Sequence, residues 1–288
     1  RDLNLYTKKV NDTLYFRTDF TGGIENEERF GLVFYYTIDK EKNSVFGVLE
    51  SKIFFKEKEW HINPEGNKNN KLIFDFREQE YEIKELELLT EGQAIIFDGV
   101  MRDSTYKNFN MKFSNVNLDA IMPKIDSLSL DGVLDGHLNF KQEKGVYNPL
   151  GNLMIKKFTI NESLQGDLKM NVKARDSYKK YQVDISLLND SVKKLEAVGA
   201  IDISHKVPLI DLDVKLDAFN LDAFSPLGKN VLSQIRGVAI GGFHVVGPLL
   251  NPEMNGVLEF NNTGFTFPYL NIDYNLVRDS KVVLENQT

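Results

Sequence analysis

The sequence contains no cysteine, one tryptophan, four histidines and eight prolines in 288 residues, and each scarcity removes a class of protein. Without thiols there is no disulfide framework and no thiolate metal site, which excludes a small disulfide-stapled secreted domain. His61, His137, His205 and His244 are far apart, and no pair has metal-ligand spacing. No apolar run approaches the roughly 20 residues that a membrane-spanning helix needs; residues 86–100, among the longest, are broken by Glu87, Glu91 and Asp98. Cationic excess is missing too. The net charge is −7 and the charges are scattered, which argues against nucleic acid as a partner, since a phosphate backbone is held mainly by Lys and Arg. No Gly-x-Ser-x-Gly elbow, phosphate-binding glycine loop or dinucleotide fingerprint occurs. The chain opens on Arg1-Asp2-Leu3 without a methionine or an apolar leader, and Lys281-Val282-Val283-Leu284-Glu285 reads as an unfinished strand. The expectation is a piece of a longer protein, with anchors and transport signals elsewhere.

What is present is alternation. Phe30, Leu32, Phe34, Tyr36 and Ile38 share one face of an extended chain, as do Leu72, Phe74 and Phe76, then Leu168, Met170 and Val172. Tyr181, Val183, Ile185 and Leu187 repeat the pattern, and so do Ile210, Leu212, Val214 and Leu216. Successive strand side chains point to opposite faces, so each run has one oily and one polar side. Turn signals separate the runs: Thr21-Gly22-Gly23, Glu65-Gly66-Asn67, Asp131-Gly132, Glu143-Lys144-Gly145 and Asn261-Asn262-Thr263-Gly264. The pattern is all-β and antiparallel with few short helices. A helix is expected from Ser225 as N-cap and Pro226 as first helical residue through Ile235. A short turn is expected from Leu118 to Ile125, interrupted by Pro123.

The second half repeats itself. Asn-Leu-Asp-Ala occurs at residues 117–120 and 220–223, and Asn-Pro, read as a turn, at 148–149 and 251–252, both 103 residues apart. Gly99 with Gly199, Gly132 with Gly237, and Gly151 with Gly256 keep nearly the same interval. This gives a divergent segment 1–92, a β-repeat unit 93–196 and a second unit 197–288. Such units stack along one axis or close into duplicated sandwiches. From periodicity alone sandwiches are the commoner outcome.

Chemistry-bearing residues read plainly. Asp75, Glu78, Glu80 and Glu82 are the densest carboxylates; alternation puts Glu78, Glu80 and Glu82 on one polar face, which makes a solvated face a better reading than a glycosidase acid and base. Trp60 reads as a buried or edge-covering aromatic. Asp-Thr or Asp-Ser pairs place Thr13, Ser104, Ser127 and Ser191 in a context resembling O-glycosylation sites of exported Bacteroidetes proteins, although chance turn residues are the stronger explanation.

The stretch Asn11 to Gly23, Gly47 to Lys56, Trp60-His61-Ile62-Asn63 and Asp98 to Ser104 resembles the TamB/AsmA-like family in its Bacteroidetes branch. Ile235-Arg236-Gly237, the Gly and Asn-Pro run from Gly247 to Gly256, and the stretch from Phe267 to Tyr274 resemble phrases of the same family. The resemblance covers nearly the whole chain, and the ordered set carries it. It implies an elongated, curved antiparallel sheet, a β-taco or repeating β-groove, in the periplasm. The parent protein would be anchored in the inner membrane and would meet a TamA-like outer-membrane barrel through parts outside this chain. The implied role is non-enzymatic and cofactor-free: an apolar groove carrying phospholipid acyl chains between the membranes in outer-membrane biogenesis. The alternative is a scaffold that assists barrel assembly by strand-edge binding. With the resemblance, the open groove is favoured over sandwiches. Its expected lining is Phe30, Leu32, Phe34, Leu72, Phe74, Phe76, Ile95, Phe97, Leu168, Met170, Val183, Ile185, Leu212, Val214, Phe243, Val245, Leu258 and Phe260.

Overall fold

Strand-forming runs pair with their sequence neighbours wherever a tight turn joins them, because a two-residue connection brings antiparallel strands directly into register. The computed structural model describes residues 3–22, 28–103, 105–122, 128–144, 146–175, 180–228 and 231–285. It is nearly all β. Its strands are β1 (Leu3–Val10), β2 (Thr13–Gly22), β3 (Glu28–Ile38), β4 (Ser44–Val48), β5 (Ser51–Phe55), β6 (Lys58–Ile62), β7 (Lys71–Asp75), β8 (Glu80–Thr90), β9 (Gln93–Arg102) and β10 (Tyr106–Asn117). There follow β11 (Leu130–Glu143), β12 (Val146–Ile160), β13 (Ser163–Arg175), β14 (Lys180–Asn189), β15 (Val192–Asp202), β16 (Leu209–Asn220), β17 (Ser233–Pro248), β18 (Glu253–Phe267), β19 (Ile272–Asn275) and β20 (Ser280–Leu284). All twenty belong to one sheet. By packing, the chain divides into a first unit, residues 1–121 with 135–148, and a second, residues 122–134 with 149–288. This division follows contacts, whereas the expected boundaries count sequence periods.

In the first unit β1, β2 and β3 form a meander. β5 and β4 then pair with successive parts of β3, Phe30 facing Ile53 and Phe34 facing Val48. β6 pairs with β5 and β7 with β4, and both then meet β8. β4 with β5, and β6 with β7, are therefore each one long strand interrupted in the middle. The second interruption, between β6 and β7, is pinned by Asn63, which is 1% exposed. Its amide donates to the Val48 and Asn67 carbonyls, and its oxygen accepts from the Asn67 N–H.

The second unit is simpler. From β12 to β18 each strand pairs with the next, and β19 and β20 pair with successive parts of β18. Arg236 of β17 ties β19 in place through a two-pronged pair with Asp273, Nη1 to Oδ1 at 2.9 Å and Nη2 to Oδ2 at 2.8 Å.

The repeat reappears as backbone geometry. Asn115 (φ 51) and Ala218 (φ 50) are 103 residues apart, and Lys157 (φ 51) and Asn262 (φ 50) are 105 apart. Gly132 and Gly237, and likewise Gly136 and Gly241, share positive φ at the same interval of 105. Both Asn-Leu-Asp-Ala stretches bend into 3₁₀ turns, Leu118–Ala120 and Asp222–Gly228, with Ala120 and Ala223 buried at 1% and 0% exposure.

Several local expectations are corrected. Helix does not run from Ser225 to Ile235: Pro226 lies inside the 3₁₀ segment, the Ser225 hydroxyl donates to the Ile235 carbonyl at 3.2 Å, and β17 has begun by Ser233. Asp131-Gly132, Asn261 to Gly264 and Asn148-Pro149 are not turns; they lie inside β11, β18 and β12. Phe76 follows the end of β7 and is 67% exposed. Pro123 to Ile125, Gly23, Gly145, Ser104 and Ser127 lie outside the described residues. Glu65-Gly66-Asn67 and Asn251-Pro252 are turns as expected.

Candidate functional site: the apolar sheet faces

Cross-strand partners project from the same face of a sheet, so register decides whether the oily sides of neighbouring strands merge. In the first unit they do. Phe20, Phe30, Ile53 and Trp60 form one transverse row, and Phe16, Phe34 and Val48 another. Tyr36, Phe46, Leu72 and Ile83 make a third, followed beyond β8 by Phe97 opposite Met111 and Ile95 opposite Phe113. The rings pack along these rows: Phe20 on Phe30 at 4.6 Å, Phe16 on Phe34 at 5.1 Å, Phe34 on Phe46 at 4.7 Å, and Phe97 on Phe109 at 5.9 Å. Offset and tilted pairs of this kind contribute about 0.5–1.5 kcal/mol beyond their burial.

The second unit repeats the arrangement with aliphatic side chains. Leu153, Met170, Ile185, Ala197, Val214 and Phe243 share one row. The adjacent rows carry Val172, Val183, Leu212 and Val245 on one side, and Ile155, Leu168, Leu187, Leu195 and Leu216 on the other. Leu258 faces Gly241, and Phe260 faces Ala239. None of the side chains in these rows is charged. The opposite face carries Lys169, Asn171, Lys173, Gln182, Asp184, Asp211, Asp213 and His244.

Every expected lining residue except Phe76 thus falls on the apolar face of its unit. Val183, Val214 and Val245 are buried, and the others are half-buried. Val214 and Val245 belong to a cluster in the second unit that also contains Ala197 and Ile210, against which Leu195, Ile201 and Leu216 pack. The middle of that face is filled by its own side chains; the ring-lined face of the first unit is more open. Residues of a face sealed by an opposing sheet are fully buried.

Phe16, Phe20, Phe46, Ile53, Phe109 and Phe113 were missed in the expected lining. Their signal was the same alternation; only Phe46 and Ile53 sit on short strands beside an interruption, whereas Phe16, Phe20, Phe109 and Phe113 lie in the long strands β2 and β10. Trp60, 2% exposed, belongs to the ring-lined face.

The carboxylates have structural partners. Asp75 accepts the backbone N–H of Arg77 at 2.9 Å, and its carboxyl is held below the usual range chiefly by the Arg77 side chain. Glu80 pairs with Arg102 on the polar face. Glu87 is pushed up by burial first, then by Glu85 and Glu65. His244 stands between Asp213 at 3.0 Å and Asp211 at 3.4 Å. Among the described residues, no three His, Asp or Glu are grouped to hold a metal ion. No helix among them is long and apolar enough to cross a membrane. Set against protein-family models, curated proteins and solved structures, the chain matches none.

Proposed function

We propose that the apolar face of each unit is a groove for lipid acyl chains, in a non-enzymatic segment of a larger envelope protein that supports outer-membrane biogenesis. In this reading the groove lies in the periplasm, its parent is anchored in the inner membrane, and an outer-membrane barrel is met through parts outside this chain. The observation that carries the reading is the registered, uncharged and half-exposed face of each unit. Exposed apolar surface of this extent is a liability unless something occupies it.

Magnitudes favour an acyl chain as occupant. Each unit presents about eight strand positions, so its face runs about 34 Å at 4.8 Å spacing. One leaflet of a bilayer core is about 15 Å deep, so a whole acyl chain fits lengthwise across either face. At about 0.8 kcal/mol per methylene, a chain of about 16 carbons gains on the order of 12 kcal/mol by leaving water for such a surface. Many similar contacts without a single polar anchor favour sliding over tight capture.

The test is crosslinking of a phospholipid carrying a photoreactive acyl chain. Wild-type chain is expected to label at Phe34 and Leu212. Phe34→Glu and Leu212→Glu should each reduce labelling in their own unit by at least about tenfold, since an unpaired carboxylate is costly in an apolar site, while the β circular-dichroism spectrum stays unchanged. Labelling that persists in both variants, or crosslinks that go only to an unfolded barrel protein at strand edges, would overturn the lipid reading.

A further inference from the structure

The polar face of the first unit holds a feature that the acyl groove does not use. Asn4, Asp19, Gly31 and Lys52 form one cross-strand row there, and Thr21, Arg29, Phe54 and Glu59 form the next. Gly31 has no side chain to fill its place in the row, and a hollow of about 500 Å³ opens above it. The hollow is a shallow depression open to solvent, so a ligand there would lie on the sheet with one side exposed. Around it stand two acids, Asp19 and Glu59, and two bases, Arg29 and Lys52. The Phe54 side chain on the wall is 36% exposed.

The charges are held. Lys52 donates to Glu59 at 2.9 Å, and Arg17 to Asp19 at 3.1 Å. The Lys52 ammonium is raised and the Glu59 carboxyl lowered, in each case chiefly by their mutual hydrogen bond, so both remain ionised near neutrality. The four lining charges sum to zero, and with Arg17 on Asp19 the excess is a single positive charge, which repels a polycation and gives a phosphate only a weak hold. Carboxylate, guanidinium and amide groups are planar and present paired donors or acceptors, which suits adjacent hydroxyls. An exposed ring beside them offers an apolar surface to the C–H face of a pyranose.

We propose that the hollow over Gly31 is a binding site for a neutral glycan, with a sugar ring against Phe54 and its hydroxyls shared among Asp19, Arg29, Lys52 and Glu59. The side chains named here alternate along β2 and β3 with those of the acyl face, and Phe20 and Phe30 border both.

Saturation-transfer NMR of the full chain tests it, with di- and trisaccharides of glucose, mannose and N-acetylglucosamine as probes and glucuronate and inorganic phosphate as competitors. At least one neutral sugar is expected to bind with a Kd at or below about 1 mM. Gly31→Val should abolish the signal by filling the hollow, since even a Cβ there stands 3.3 Å from Asp19 Oδ1. Phe54→Ala, at an exposed position where folding is little affected, should weaken binding about tenfold or more. Leu212→Glu should leave it unchanged. Absence of transfer to every neutral sugar, full retention in both Gly31→Val and Phe54→Ala, or stronger binding of phosphate or glucuronate overturns the proposal.

Discussion

Gly199 has its place because of β16. A Cβ built on it would lie 2.0 Å from the Asp211 carbonyl oxygen and 2.8 Å from the Leu212 Cα, and both are backbone atoms that cannot swing aside. Its cross-strand partner Leu212 covers the gap on the apolar face. Gly199→Ala should therefore force β15 and β16 apart at a cost of about 3 kcal/mol, the upper end of the range for overpacked interiors. Gly66, with φ +68 and nothing within 4 Å, is a control: Gly66→Ala should cost only the left-handed strain of about 1–2 kcal/mol. Urea unfolding gives both numbers, and native-state hydrogen exchange should show the Gly199 variant losing protection in β15 and β16 first. Equal costs with no localised loss would remove the close-approach account.

At the scale of elements, the alternation of Leu212, Val214 and Leu216 fixed strand and face correctly, and the same holds for Phe30 to Tyr36. What alternation misses is the bulge. β16 shifts register between Leu216 and Phe219; without that extra residue, parity would send Phe219 to the polar side. Instead Phe219 is 6% exposed and packs 6.0 Å from Phe224 of the 3₁₀ segment. Asn, Asp and Gly supply positive φ to bulges just as they do to turns. That is why Asn261 to Gly264 and Asp131-Gly132 read as turns and proved to be strand interior. The groove lining was legible for the same reason the strands were; its gaps are Phe46 and Ile53, beside the interruption between β4 and β5, and the alternating Phe16 and Phe20 of β2 and Phe109 and Phe113 of β10.

The repeat turns this into a prediction. Ala218 occupies the left-handed position that Asn115 occupies 103 residues earlier. An L-residue with a Cβ loses roughly 1–2 kcal/mol in that region, and Asn or Gly less. Ala218→Gly and Ala218→Asn should each stabilise the chain by about 1 kcal/mol, read as a higher urea midpoint with an unchanged slope. Deleting Ala218 should do the reverse, destabilising the second unit by about 3 kcal/mol or more as Phe219 is turned out of its site. Stabilisation by the deletion would mean that the register shift is not what places Phe219.

For the molecule as a whole, a face built of half-buried side chains has a consequence that a sealed interior lacks: its stability should depend on what lies on it. A ligand that binds only the folded state adds RT ln(1 + [L]/Kd), about 2.7 kcal/mol at a hundredfold excess over Kd. Lysophosphatidylcholine, kept below its micelle concentration, should therefore raise the melting temperature by several degrees, at about 2–4 °C per kcal/mol for a chain of this size. The ring-lined face is the more open of the two, so Phe34→Glu should remove more of the shift than Leu212→Glu, and the double variant should remove nearly all of it. Choline phosphate without an acyl chain should give no shift, because the headgroup has no partner on an uncharged face. A melting temperature that stays flat or falls with the single-chain lipid, in a wild-type chain whose β spectrum is intact, would mean that the faces are satisfied by their own side chains, and the acyl groove would have to be abandoned.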